Sequence, residues 1–203
     1  MNITILGGTG FVGLSLINCL AKTKNNVTII TRNKEKNKKI LVYPNVVLIE
    51  ADVHNAEELT KHTKKTDVLI NLIGILNEKG HSGKGFRSAH SDLVRIILTV
   101  CKANNIKRIL HMGALKSDPK GPSHYLRTKG EAESYLMTYG KRFANITIFK
   151  PSVILRPSIV FGPEDKFFNT FASLAQFSPV LPLVGGGKTK FAPIYVGDVA
   201  KAI

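Results

Sequence analysis

An α/β protein built on a doubly wound parallel sheet is what this sequence predicts, from three observations. A glycine turn joins a short apolar strand to a helix at the start of the chain. Short β-branched runs then alternate with longer helix-like stretches. And 203 residues with 43% hydrophobic and only 21% charged side chains can bury one full core and the start of a second unit. The runs expected as strands are residues 2–6, 27–31, 46–50, 68–72, 108–112 and 146–149, and the expected helices are 11–23, 56–64, 88–103 and 124–142. Strands separated by helices need crossover connections, so the sheet is parallel with helices on both faces. Residues 1–150 are expected to form the sheet-bearing domain. Residues 151–203 are expected to continue the sixth strand and open a smaller, incomplete lobe.

The first strand runs directly into Gly7-Gly8-Thr9-Gly10-Phe11-Val12-Gly13, and Leu14 onward has the composition of a helix. A side chain in such a turn would keep the backbone away from a pyrophosphate, and the helix behind it points unpaired N–H groups and a partial positive charge at that anion. The bland alternative is a tight turn before an ordinary helix. The flanking strand and helix favour a dinucleotide, held at Gly7, Thr9, Gly10, Phe11, Val12 and Gly13.

Ligands of such sheets sit off the carboxyl ends of the strands. After the second strand, Thr31-Arg32-Asn33-Lys34 carries no acid for ribose hydroxyls, whereas Arg32, with Lys34, suits a 2′-phosphate. NADP(H) is therefore favoured and NAD(H) is the alternative; a solvated basic loop is the plain reading of the same residues. After the third strand, Asp52 and Val53 are placed for adenine, and Asp52 serves equally as a helix cap. Gly74 ends the fourth strand with room for close approach of a cofactor. The adjoining 77–87 stretch, with Gly80, Gly83 and Gly85, reads as a mobile surface loop able to act as a lid.

Tyr125 and Lys129 stand four apart on a helix opening near Ser123, hence on one face. An ammonium beside the phenol is expected to lower its pKa and make Tyr125 a proton donor or acceptor at a carbonyl, with Lys129 also reaching ribose hydroxyls.

Composition narrows the classes. No run approaches the roughly 18 apolar residues of a membrane helix, and the N-terminus reads as a strand and not a signal sequence, so a cytoplasmic protein is expected. Cys19 and Cys101 fall among apolar residues without a CxxC pair, so they read as reduced and buried, and no metal site is expected. The net charge of +15 points to an anionic partner. The lysines lack interleaved aromatics, so specific nucleic-acid binding is not expected, and a docking face for a membrane or protein is the better reading.

In order along the chain, the GxxGxxG pattern, the Asp52-Val53 pair and YxxxK resemble the extended, atypical branch of the short-chain dehydrogenase/reductase superfamily, which has a Rossmann fold. Arg156 to Asn169, Leu181 to Gly187 and Pro193 to Ala200 narrow the resemblance to the group typified by the NADPH-binding accessory subunit of respiratory complex I and its bacterial relatives. It covers essentially the whole chain. The resemblance implies Gly7, Gly10 and Gly13 at the pyrophosphate, Arg32 near the adenosine phosphate, Asp52 and Val53 at adenine, Gly74 and Pro157 beside the cofactor, and Tyr125 with Lys129 at the nicotinamide end. It further implies a respiratory complex or membrane surface as partner, with a bacterial relative lying peripherally at the inner membrane.

Three departures qualify that picture. Active members carry a serine after the fifth strand where this chain has Gly113, with Ser117 and Ser123 as nearby substitutes; without that donor a developing oxyanion loses several kcal/mol. The phrase Phe149-Lys150-Pro151-Ser152-Val153-Ile154 recurs as Leu155-Arg156-Pro157-Ser158-Ile159-Val160, adding about 20 Å of extended chain. One copy must loop out, and the second, running straight into Phe161-Gly162-Pro163, is expected to keep the cofactor-side position. Finally, a helix start at Gly197-Asp198 leaves too few residues for a helix of about 12, so the substrate-side lobe is expected to be incomplete. These features favour a nucleotide-binding protein with little or no turnover, linked to complex I or quinone metabolism. An active NADP-dependent reductase, dehydrogenase or epimerase using Tyr125 as acid/base is the runner-up, and a redox-sensing or RNA-binding regulator comes last.

Overall fold

The computed structural model describes residues 1–106, 108–142, 153–155, 159–165, 167–177 and 193–203. Six parallel strands form its main sheet in the order β3-β2-β1-β4-β5-β6. They are β1 (Asn2–Leu6), β2 (Asn26–Thr31), β3 (Val46–Glu50), β4 (Val68–Asn71), β5 (Arg108–Met112) and β6 (Val153–Leu155). The chain runs outward from β1 to β3, then returns to β4 on the other side of β1, so strand order reverses between β1 and β4. A crevice opens off the carboxyl ends of strands at such a reversal.

Side chains alternate across a strand, and here both alternating sets are apolar because both faces are covered. Leu6, Leu69 and Ile109 enter a core shared with Leu59 of α2 (Ala56–His62), Ile97 of α4 (Leu93–Ala103) and Leu136 of α5 (His124–Arg142). Their neighbours Ile5, Ile70 and Leu110 enter a second core with Leu16 and Ile17 of α1 (Phe11–Leu20). A 3₁₀ segment, Glu35–Val42, buries Ile40 in that second core.

Several expectations change in three dimensions. The helix expected from Ser88 begins earlier: α3 (Lys84–Arg87) runs through a π-turn at Ser88–Asp92 into α4. The loop expected over 77–87 therefore ends at Gly83. It is also organised, because the Glu78 carboxylate accepts from the backbone N–H groups of Gly83 (2.7 Å), Gly85 (2.8 Å) and Phe86 (3.3 Å). Burial alone would raise the Glu78 pKa, but these bonds to the charged form together hold it below the ordinary carboxylate range.

The repeated phrase resolves differently from expectation. Val153–Leu155 pairs with β5 as the sixth strand, drawn mainly from the first copy, while Ile159 and Val160 of the second copy open β7 (Ile159–Phe161), which pairs with β8 (Pro193–Tyr195) in a separate two-stranded sheet. A six-residue repeat advances the chain by about 20 Å, beyond what one register against β5 can absorb, so the surplus finds its own partner. The strand expected at 146–149 and the site residue Pro157 lie outside the described residues.

The end of the chain corrects a third expectation. Despite having only seven residues, the segment Val196–Ala202 is helical and packs on α1, burying Val196, Val199 and Ala200. Tertiary burial, not propensity, supports so short a helix. Val199→Ala is accordingly expected to cost about 1–3 kcal/mol, read as a lowered urea midpoint at unchanged slope.

Candidate functional site: a crevice at the strand-order reversal

Two of the motif glycines are required by backbone contact. Gly7 has φ +79, and a Cβ there would lie 3.0 Å from Ile73 N, so the turn after β1 rests directly on the chain leaving β4. A Cβ at Gly13 would lie 2.4 Å from Gly8 O, so α1 closes tightly on its own turn. The amide of Gly10 donates to Gly7 O (3.1 Å), and Leu14 N reaches Gly10 O (2.9 Å).

The start of α1 is open. Its N-cap is Gly10, no side chain among the described residues bonds there, and no acid stands in the first turn. By contrast, α2 is closed by Asn55, whose Oδ1 accepts from Glu57 N (3.0 Å) and Glu58 N (3.2 Å), with both acids in the first turn. One helix terminus thus has its own cap and the other leaves backbone donors for an anion.

Beside that terminus lies a cavity of about 520 Å³ whose wall includes Gly7, Thr9, Arg32, Lys36, Val53 and His54. That volume suits a small-molecule site. Arg32 stands at the end of β2 with Lys36 as its cationic neighbour, while the Lys34 amide donates to Glu50 Oε2 (2.6 Å). Lys36 and His54 were missed from sequence, since nothing in their spacing separates them from other surface residues. Val53 is buried against the cavity, whereas Asp52 is exposed and not part of its wall; one carboxylate oxygen accepts from His54 N (2.9 Å). Asn55, not Asp52, caps α2. The Phe11 ring turns toward Gly162, its Cζ 3.3 Å from where a Gly162 Cβ would stand, so Phe11 is left with only its backbone to offer a ligand at the turn. Val12 is half-buried in the first turn of α1.

The other end of the crevice is built by α5 and the strand exits. Lys129 is 3% exposed and its Nζ donates to Met112 O at the end of β5 (2.9 Å). The same Nζ lies 3.2 Å from where a Gly74 Cβ would stand, which brings Gly74 and Lys129 together. Burial lowers the Lys129 pKa to about 8, with the Glu133 carboxylate opposing. Tyr125 is half-buried and burial raises its pKa, which corrects the expected lowering by Lys129. Desolvation of the phenolate outweighs the benefit of a lysine whose ammonium is directed to a carbonyl.

Side chains that sequence reading passed over complete this end. His90, 1% exposed in the π-turn, stacks edge-on against Tyr125 with centroids 5.5 Å apart. On the strand ends, Asn71 Oδ1 accepts from Ile73 N (3.1 Å), which turns its amide nitrogen toward His111 Nδ1 (3.0 Å). Burial first, and Lys129 second, lower both histidines to about 3. Gly113 sits buried where a serine is expected in active relatives. Ser117 donates its proton to Ala114 O and closes a turn, and Ser123 Oγ accepts from Leu126 N (3.2 Å) at the start of α5. Ser117 therefore does not replace the missing donor.

Burial gives this end two pH dependences. The Lys129 pKa falls from 10.5 to about 8 on folding, so the cost of burying its charge is complete below pH 8 and is relieved as pH rises through the window to 10.5. Unfolding free energy should rise across that window in the native protein and lose this component in Lys129→Met, measured by urea titration at several pH values. For His90 and His111, lowered from 6.5 to about 3, stability present above pH 6.5 is lost as pH falls toward 3. His90→Gln should make that acid loss shallower in the same measurement.

Comparison with known proteins accords with this geometry. A family model described as NAD(P)H-binding matches residues 7–158. The chain is 31% identical over 205 residues to the mitochondrial NADH dehydrogenase [ubiquinone] 1 alpha subcomplex subunit 9 of Arabidopsis thaliana, covering 98% of this chain and 48% of that protein. It is 26% identical to the mitochondrial NADH-ubiquinone oxidoreductase 40 kDa subunit of Neurospora crassa, covering 98% and 50%. The chain thus spans about half the length of these curated relatives. Among solved structures, UDP-glucuronic acid 4-epimerase from Bacillus cereus with UDP-glucuronic acid and NAD superposes with TM-score 0.85 at 21% identity, over 99% of this chain and 71% of that one, a likeness of fold. With its glycine turn and open helix terminus inside the matched span, which also takes in five of the six strands of the parallel sheet, the chain belongs to the NAD(P)H-binding family.

Proposed function

We propose that this protein holds NADP(H), in preference to NAD(H), as a bound and largely unreactive nucleotide. The open N-terminus of α1 beside the Arg32 and Lys36 rim is the observation that carries the reading. The residues present fit the group. Gly7 and Thr9 line the cavity beside the Gly10 N-cap, where a diphosphate would meet the open start of α1, Gly13 lets α1 close on that turn, Arg32 and Lys36 suit a 2′-phosphate, Val53 offers an apolar wall for adenine, and Gly74 with Lys129 marks the nicotinamide end. A bound nicotinamide supplies hydride transfer. Turnover would also need a donor at a substrate carbonyl, and Gly113 in the serine position, with the Ser117 proton on Ala114 O, leaves neither residue to serve. Bound nucleotide then stabilises the fold by mass action.

The similarity to mitochondrial complex I subunits supports a place in or on a respiratory complex, or at the surface of a membrane. No helix among the described residues is long and apolar enough to cross one. The surface that suits a large partner is the aromatic cluster of Phe161, Phe167, Phe168 and Tyr195, each more than a third exposed, on a chain of net charge +15. In this reading residues 151–203 belong to a partner-facing lobe and residues 1–150 to the nucleotide domain, in a cytoplasmic protein lying peripherally at the membrane.

Titration of nucleotide fluorescence tests the assignment. NADPH should bind at least tenfold more tightly than NADH, and Arg32→Glu should reverse that order. Tyr125→Phe should bind NADPH as the native protein does, and neither should reduce small carbonyl substrates. Turnover that disappears in Tyr125→Phe would establish an active reductase instead.

A further inference from the structure

We infer that His90 is a positioning residue that clips the exit of β4 to the Tyr125–Lys129 helix and so sets where the nicotinamide half of the nucleotide lies. The inference rests on the nucleotide-binding reading above and adds to it a side chain outside the recognised motifs.

The π-turn at Ser88–Asp92 supplies the placement. One extra residue in a helical turn offsets the downstream residues from the upstream ones around the axis, and single π-turns interrupt helices at functional sites for that reason. Here the turn carries an imidazole that is 1% exposed inward, where it meets the backbone leaving β4 and one face of α5. Its Nε2 accepts from Ile75 N (3.3 Å), so the ring proton of the neutral imidazole is on Nδ1. Nδ1–H donates to Thr128 Oγ1 (3.0 Å), and Thr128 donates in turn to His124 O (2.8 Å). These three bonds run in one direction across three segments of chain, and the order is satisfied only by a neutral ring with its proton on Nδ1.

The clip also lies against both motif side chains. Thr128 precedes Lys129, and a Cβ at Gly74 would stand 3.2 Å from Lys129 Nζ and 3.6 Å from His90 Nε2, so all three converge on one point. The Tyr125 ring is edge-on to His90 at 5.5 Å and to Phe86 at 5.9 Å. Losing the bond to Ile75 would free the Gly74–Ile75 segment from α5, whereas the glycine turn after β1 keeps its own backbone contact with Leu72 and Ile73.

The test compares the whole nucleotide with its adenosine half. Native protein, His90→Phe, His90→Gln and Thr128→Val are titrated with NADPH and with 2′,5′-ADP, and circular dichroism checks the fold. His90→Phe, which keeps ring packing without the bonds, should weaken NADPH about tenfold and 2′,5′-ADP less than twofold. His90→Gln, whose amide can accept from Ile75 and donate to Thr128, should recover most of that loss, and Thr128→Val should reproduce part of it. Nitrogen-15 NMR of the native protein should show a neutral His90 protonated on Nδ1 between about pH 5 and pH 8. Equal weakening of both probes, no weakening of either, or a proton on Nε2 would overturn the clip while leaving the nucleotide assignment standing. Failure of native protein to bind NADPH or NADH would overturn both. Should His90→Phe not fold, Thr128→Val and the tautomer decide.

Discussion

A Cβ on Gly7 would press against the backbone of Leu72 and Ile73 at 3.0 Å, and the rest of the crevice depends on that closeness. Because the turn after β1 lies on the exit of β4, the start of α1 and the Gly74 segment form walls of one cleft. Strand order reverses at that same place, so no crossover helix covers it. A backbone contact that only glycine permits thus puts the donors of one helix terminus and the residues of a distant strand end within reach of a single elongated ligand.

The two ends of the cleft use different physics. At the α1 end the groups are backbone amides and surface cations, suited to phosphates and exposed to solvent. At the α5 end the groups are buried: Lys129, His90, His111, Thr128 and Asn71 are each at most 3% exposed. Burial there keeps the histidines neutral and lowers the lysine. Hydrogen bonds to Met112 O, Ile75 N and Ile73 N satisfy much of this polar cluster and tie two strand exits and two helical segments together. Polar groups buried in that way favour one arrangement over its neighbours, which a site for a fixed ligand requires.

Much of the fold was legible because its signals are local. β-Branched runs over 2–6, 46–50 and 108–112 became strands with the expected bounds, and the 124–142 helix was likewise placed as read. The glycine turn was legible because strand, turn and helix adjoin one another without a break. Asp52 was not fully legible because an acid after a strand can serve a ligand, a turn or a cap, and three-dimensional context chooses among them; Asn55 takes the cap, and one Asp52 oxygen accepts from His54 N. The repeated phrase was unreadable for a similar reason, since both copies carry the same strand signal and only the span available against β5 selects between them.

The sequence by itself determined the alternation of strands and helices, the glycine turn and the Tyr125–Lys129 spacing, because each is a relation between residues close along the chain. Only the tertiary structure decided what those residues do to one another. Burial raised the tyrosine where charge alone predicted a lowering, seven residues at the chain end became a helix because α1 offered them a face, and a π-turn carried His90 inward to the exit of β4. Desolvation and packing depend on neighbours brought from far along the chain, and no local pattern records them.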